Sequence, residues 1–297
     1  MGRGASGAAD AAHGITMGGP EGDRLDVAPL DTESRWETFP YWSLILAGIV
    51  GYFGYLTFFV DRYNIAWERI YDGIVTTIRI TIFAFILSLA LGLILGLGRI
   101  SVADSHSGRG TRFIKAAFRN LSRTYVEFVR GVPILPLIFF LALVIIPETL
   151  KALGIPIRDV SQEWRGILAL SIIYGAYLAE VFRGGVQSIP RGQMEAGRSL
   201  GLSRFSTMRY VVLPQAMRAI IPPLGNDFIA ILKDSSLLSV LAVGEITYNA
   251  RQYAAGSFRF KESYVVLIFI YVSLVLTLSF LLTRLEARMT RDRQGER

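Results

Sequence analysis

Residues 175–236 read GAYLAEVFRGGVQSIPRGQMEAGRSLGLSRFSTMRYVVLPQAMRAIIPPLGNDFIAILKDSS, two apolar stretches joined by a polar, arginine-bearing middle. That middle, Met194 to Met208, is compatible with helix. Gly201 stands where a helix would stop and Ser203 where the next would start, because glycine adopts the left-handed conformation of a C-terminal cap and serine accepts from the amides of a first turn. Ile189-Pro190 before it and Leu213-Pro214 after it read as punctuation, since proline lacks the amide donor that a continuing helix needs. The expectation is a short helix–turn–helix held outside an apolar medium by the segments that flank it.

Working outward, apolar runs lie at about 41–60, 73–97, 131–147, 166–182, 215–245 and 263–283. Each supplies the roughly 17–25 residues that cross about 30 Å of hydrocarbon. The chain has 297 residues, is 52% hydrophobic and contains 29 glycines, a balance that exceeds that of ordinary soluble domains. The fold class expected is all-α, a polytopic membrane protein with about six transmembrane helices. The third run carries Pro133, Pro136 and Pro147 and reads as a broken helix of the kind that neighbouring protein can satisfy. The fifth exceeds one span and contains Lys233 and Asp234, so a kink or a turn along the outer surface is expected within it. Residues 1–40 are rich in Gly, Ala and Asp without apolar periodicity, and read as a disordered tail with no signal peptide.

Charge sets the orientation. The N-terminal tail and the connections 98–129, 183–214 and 284–297 hold 19 Lys and Arg, against 8 in 61–72, 148–165 and 246–262. The positive-inside rule then puts both termini and the 194–208 loop in the cytoplasm. The net charge of +7 thus reports topology; the basic residues lack the aromatic interleaving of a nucleic-acid surface, and no nucleic-acid partner is expected. There is no cysteine, and only His13 and His106. A thiol, histidine or metal centre is therefore not expected, and no nucleophile–base constellation stands out.

The loop also carries a resemblance. Glu195-Ala196-Gly197, then Gly201, then Val211 with Leu213-Pro214 resembles the EAA loop of ATP-binding cassette (ABC) import permeases, with Gly197 in place of its second Ala. Ala176–Glu180, Arg183-Gly184-Gly185, Gly192-Gln193, Leu213–Ala216, Pro222-Pro223, Asn226 and Lys233–Leu237 resemble the polar amino-acid branch. So does Arg130-Gly131-Val132-Pro133, while Leu137 stands where many relatives have Gln.

The resemblance implies a five-helix permease domain over 70–285, preceded by an additional helix at 41–60 and followed by a cytoplasmic tail at 286–297. It implies a subunit of the inner membrane that transmits force and does not catalyse: Gln193, Glu195, Ala196, Gly197, Gly201, Leu213 and Pro214 would form the ATPase-coupling loop. It also implies partners, namely two ATPase subunits that bind ATP, a second permease subunit, an external solute-binding protein, membrane lipid and a polar amino acid as substrate. No phosphate-binding Gly-x-x-x-x-Gly-Lys-Ser/Thr loop is present, so no cofactor of its own is expected.

Ionisable residues inside a membrane cost about 2.5–3.5 kcal/mol each on insertion scales and so mark pathways or pairs. Arg130, Glu180, Asn226, Asp227, Lys233, Asp234 and Ser235 are the candidate pathway residues. For Glu180 with Arg183 a structural ion pair is the equal alternative, and for Lys233 with Asp234 a pair at the outer edge. Lys233 together with Glu180 or Asp227 would complement both ends of a zwitterion. Arg79 reads as a snorkelling anchor and Gly92 with Gly96 as a helix-packing face. On the residues alone, a transporter or channel driven by an ion gradient stays open as the rival reading.

Overall fold

The computed structural model describes residues 41–100 and 108–291, so the expected tail at 1–40 and the last residues of the one at 286–297 lie outside the described residues. Long apolar runs, in a medium that leaves backbone groups to satisfy one another, give helices almost throughout, even across the β-branched stretch at 74–82 and the internal Pro222-Pro223. In chain order these are α1 (Tyr41–Phe59), α2 (Asp61–Ile70), α3 (Gly73–Ile100), α4 (Arg109–Gly131), α5 (Ile134–Phe140), α6 (Ile146–Ala152), α7 (Gln162–Gln187), α8 (Arg191–Ser199), α9 (Arg204–Thr207), α10 (Leu213–Asp234), α11 (Ile246–Ser257) and α12 (Phe260–Arg291). The architecture is all-α among the described residues.

Among the described residues, five segments are long and apolar enough to cross a bilayer: Tyr41–Phe59, Gly73–Arg99, Ile134–Ala152, Gln162–Gln187 and Phe260–Arg288. The fifth apolar run of the sequence is not one uniform span. Its α-helix is α10, which ends at Asp234, and Ser235–Leu241 tighten into a 3₁₀ segment closed by Ala242 in the left-handed region, φ 56°. At the far end, α12 continues through Arg291, so helix extends into what the sequence reading assigned to the C-terminal tail.

The prolines of the third run do not break it. Pro133 is the N-cap of α5 and Pro136 lies in its first turn, where amides have no intrahelical partner in any case. A π turn, Leu141–Ile145, links α5 to α6 and brings Pro147 to the start of the new helical segment. The same device recurs downstream. A π turn over Met208–Val212 joins α9 to α10, so Leu213-Pro214 continues the helical path instead of ending it, with Pro214 in a first turn that tolerates its missing donor.

The core is built on α3 and α7, which run in the same direction: Ser88 Oγ donates to the Ser171 carbonyl (3.3 Å), and Arg79 forks onto Glu163 near the starts of both helices. Glycine permits the approach. A Cβ on Gly92 would lie 2.7 Å from Leu178 Cβ, and one on Gly96 2.9 Å from the Ala179 carbonyl, so the small-residue face serves packing within the chain. Arg79 is thus an ion-pair partner, at 2.6 Å from Glu163, and not a lone anchor. Helix α10 runs the other way. Ile220 lies against Gly185 of α7, and Asp234 accepts from the Tyr174 hydroxyl at 2.7 Å. The C-termini of α3 and α7 and the N-terminus of α10 therefore share one end of the bundle, the end that carries α8 and α9.

Leu137 is 2% exposed and belongs to the main apolar cluster with Ile138, Ile173 and Tyr174. Its side chain fills core space, which accounts for an aliphatic residue there. A second cluster, around Tyr63, Ala66, Ile70, Ile246, Ala250 and Val266, fastens α2 and α11 to α12.

Candidate functional site

Helix α7 ends at Gln187, and Pro190 is the N-cap of α8, so Ile189-Pro190 separates the two as its chemistry requires. Helix α8 closes at Gly201, whose φ of 81° only glycine adopts without strain. Ser203 then caps α9, its Oγ accepting from the Ser206 amide at 3.1 Å. The helix–turn–helix expected from the sequence is present with both of its signals in place.

Three contacts stiffen this unit. Gly197 faces Thr207, so closely that a Cβ there would come within 2.4 Å of Thr207 Cγ2. Thr207 is fully buried and its hydroxyl donates to the Ser203 carbonyl at 2.9 Å, which fixes the methyl group that Gly197 must clear. The departure from Ala at 197 is therefore matched to Thr207 across the turn. At the base, the Gln215 amide donates to Gln193 Oε1 (3.2 Å) and to the Val211 carbonyl (2.9 Å), tying α8 to the first turn of α10. Glu195, Ala196, Leu213 and Pro214 are solvent-facing, and around them Leu200 is 83%, Phe205 72% and Tyr210 67% exposed. The firmly held unit thus presents large apolar side chains to its surroundings.

Immediately behind the loop, Glu180 of α7 accepts from Arg99 of α3 at 2.7 Å and is gripped by Arg183, whose other branch donates to Gln187. This network ties the end of α3 to the last turns of α7. The structural ion pair weighed for Glu180 and Arg183 is present, with Arg99 as a second partner.

The remaining candidates separate into faces. Asp227 and Asp234, seven residues apart on α10, point toward α7, where Tyr174 holds Asp234 while Asp227 Oδ2 is buried with no hydrogen-bond partner. Lys233 is exposed and lines, with Ser236, Tyr271 and Leu276, a groove of about 320 Å³ between α10 and α12. Asn226 is exposed, and Ser235 is buried with its hydroxyl donating to the Leu232 carbonyl. Arg130, at the end of α4, lies 5.7 Å from the ring centre of Tyr177. No group of His, Cys, Asp and Glu able to hold a metal ion occurs among the described residues.

Sequence reasoning missed Thr207, Arg99 and Glu245, and had Gln215 only as part of the resemblance, without its bond to Gln193. Glu245 is fully buried, accepts from the amides of Thr247 (2.9 Å) and Tyr248 (2.6 Å), and receives the Tyr271 hydroxyl at 3.0 Å. A carboxylate just before a helical stretch is a legible capping signal; its partner on α12 is not.

Comparison with known proteins agrees with this geometry. The family model described as binding-protein-dependent transport system inner membrane component matches residues 89–291. The glutamine transport system permease protein GlnP of Escherichia coli (strain K12) is 36% identical over 228 residues, covering 75% of this chain and 97% of that protein. The L-cystine transport system permease protein TcyB of Bacillus subtilis (strain 168) is 33% identical over 226 residues, 76% of this chain and 88% of that one. Among solved structures, an amino acid ABC transporter crystallised with histidines superposes with a TM-score of 0.62 at 28% identity, over 84% of this chain and 99% of its own. The MetNI methionine ABC transporter, inward facing, shares the fold with a TM-score of 0.60 at 19% identity, over 74% and 96%. With its helix–turn–helix projecting from a parallel α3–α7 core, the chain belongs to the binding-protein-dependent transport system inner membrane components, and it is the permease subunit of an ABC importer.

Proposed function

We propose that this permease imports a polar amino acid and that α8 with α9 is its coupling element, received by a cleft of the ATPase. The observation that carries the reading is the loop itself: a helix–turn–helix locked by Gly197 against Thr207 and by Gln193 to Gln215, with Leu200 and Phe205 presented to solvent. A rigid lever of this kind passes displacement from its tip into α10 without bending. The Glu180 network would carry the same displacement into α3 and α7.

The amino-acid substrate is supported by the names of the relatives, among them glutamine, cystine and arginine systems. In the pathway, Asp227 offers an unsatisfied acceptor for a substrate ammonium on the α7 side of α10, Asn226 offers an exposed donor for a carboxylate beside it, and Lys233 lies apart from them on the α12 side. Arg130, Asp234 and Ser235 line or brace that route. Two ATPase subunits, a second permease subunit and an external binding protein complete the assembly, with both termini and the coupling loop in the cytoplasm as the Lys and Arg distribution supports.

The test is co-purification with the ATPase. Leu200→Ser with Phe205→Ser leaves the buried contacts of the loop untouched and is expected to lose the ATPase from the complex. Full recovery of the ATPase with that double variant would place the docking face elsewhere.

A further inference from the structure

Glu245 is a buried carboxyl group outside both the coupling loop and the substrate pathway. It stands between the 3₁₀ segment and α11, at the end of the bundle opposite α8 and α9, where α3 begins. Three donors converge on it: the Tyr248 amide on Oε1 (2.6 Å), and the Thr247 amide (2.9 Å) and Tyr271 hydroxyl (3.0 Å) on Oε2. Its backbone is held as closely. A Cβ on Gly73 would lie 2.7 Å from the Glu245 carbonyl carbon, and the next amide, that of Ile246, donates to Thr77 Oγ1 of α3 at 3.3 Å. One residue thus joins α3, α11 and α12.

The cluster suits this carboxyl with or without a proton. As a carboxylate it accepts all three bonds. As an acid, an O–H on Oε2 finds an acceptor in the Tyr271 oxygen, because the Tyr271 hydroxyl can turn to Thr247 Oγ1, 3.1 Å away. A side chain with a fixed donor at position 271 could not reverse in this way. No described cation is in ion-pair contact with Glu245. Lys233 of α10 lies in the groove that Tyr271 lines, Arg69 of α2 lines a separate pocket with Asn249, Arg251 of α11 reaches Ser239, and Arg79 of α3 is committed to Glu163. Asp72, before Gly73, is exposed, and the 3₁₀ segment carries no charged residue. Burial therefore pushes the Glu245 carboxyl up to about 7, against the lowering effect of its donors.

We propose that Glu245 is a proton-binding site, reached from the α10–α12 groove through Tyr271, and that the bound proton locks the junction of α3, α11 and α12. Entry is a single exchange. Tyr271 passes its hydroxyl proton to Oε2 and takes another from water in the groove, which leaves Tyr271 neutral and Glu245 protonated. The sign of the effect follows from burial. In a junction opened to water the carboxyl titrates at its ordinary value, below that of the closed junction, so the proton favours closure and opening becomes easier as the pH rises toward the closed-state value.

The full chain, assembled with its ATPase in lipid nanodiscs, is titrated by infrared difference spectroscopy. A carboxylic-acid carbonyl band is expected to disappear as the pH rises through about 7, to be missing in Glu245→Gln, and to move to higher frequency in Tyr271→Phe, which removes its hydrogen-bond partner. Amide exchange gives the second readout. Opening of residues 246–248, corrected for the intrinsic rate, is expected to grow about tenfold per pH unit between about 5 and about 7 and then to level off, and to be flat in Glu245→Gln. A wild-type band already gone by about pH 5, as for a carboxyl in water, would overturn the proposal. So would opening that is flat with pH in the wild type, or a band that Tyr271→Phe leaves at the same frequency.

Discussion

Replacing Gly197 by alanine restores the residue that the EAA pattern carries, and the structure says it will weaken this loop. The added Cβ would come within 2.4 Å of Thr207 Cγ2, about 1 Å inside ordinary van der Waals contact. Thr207 cannot swing away. It is fully buried, its χ1 is restricted by branching, and rotation would sacrifice the 2.9 Å bond to the Ser203 carbonyl. Alanine gains about 1 kcal/mol of helix propensity over glycine. Overpacking a closed site costs about 1–3 kcal/mol. The net expectation is a loss of up to about 2 kcal/mol in the local stability of residues 191–207, visible as faster amide exchange there while the spans are unaffected. Thr207→Ser removes Cγ2 and keeps the hydroxyl, so the double variant should recover the helix gain, with a coupling energy of about 1–2 kcal/mol in a double-mutant cycle. Slower exchange in Gly197→Ala alone, or additive effects in the double variant, would refute the contact as the reason for glycine.

Other expectations follow from single sites. Glu245→Ala strands the amides of Thr247 and Tyr248 and the Tyr271 hydroxyl in the interior, and should lower stability by roughly 1–3 kcal/mol, measured by thermal unfolding in detergent; an unchanged midpoint would show that the cap is dispensable. Gly185→Val would drive a side chain into Ile220 Cγ1, 2.2 Å from an added Cβ, and should separate α7 from α10 at a cost of at least about 1–3 kcal/mol; wild-type yield and melting would contradict that packing. Asp227→Asn keeps the shape of α10 and removes the charge, so transport should fall while ATPase co-purification holds, and undiminished uptake would remove Asp227 from the pathway.

The sequence made local features legible and left cross-helix ones dark. Gly201 and Ser203 announced a stop and a start because their backbone and side-chain chemistry acts within a few residues, and the turn formed where they stand. Apolar length announced the spans for the same reason. Pro147 and Pro214 misled as breaks, because the π turns that absorb them shift the hydrogen-bond register over residues with no distinctive side chains. Arg79 looked like a lone anchor because its partner, Glu163, is 84 positions away. The need for glycine at 197 was visible as a departure, but its cause, Thr207, lies across the turn and depends on an inter-helix distance.

ATP-driven uptake of a labelled amino acid into proteoliposomes tests the central claim most directly, using the chain with its ATPase and binding protein and comparing wild type with Gly201→Asp. Gly201 holds φ at 81°, so a branched, charged residue there should unmake the turn between α8 and α9 while leaving every span in place. The account predicts uptake that needs ATP and the ATPase, and its loss in a variant that still inserts. Uptake driven by an ion gradient without the ATPase, undiminished by Gly201→Asp, would contradict it.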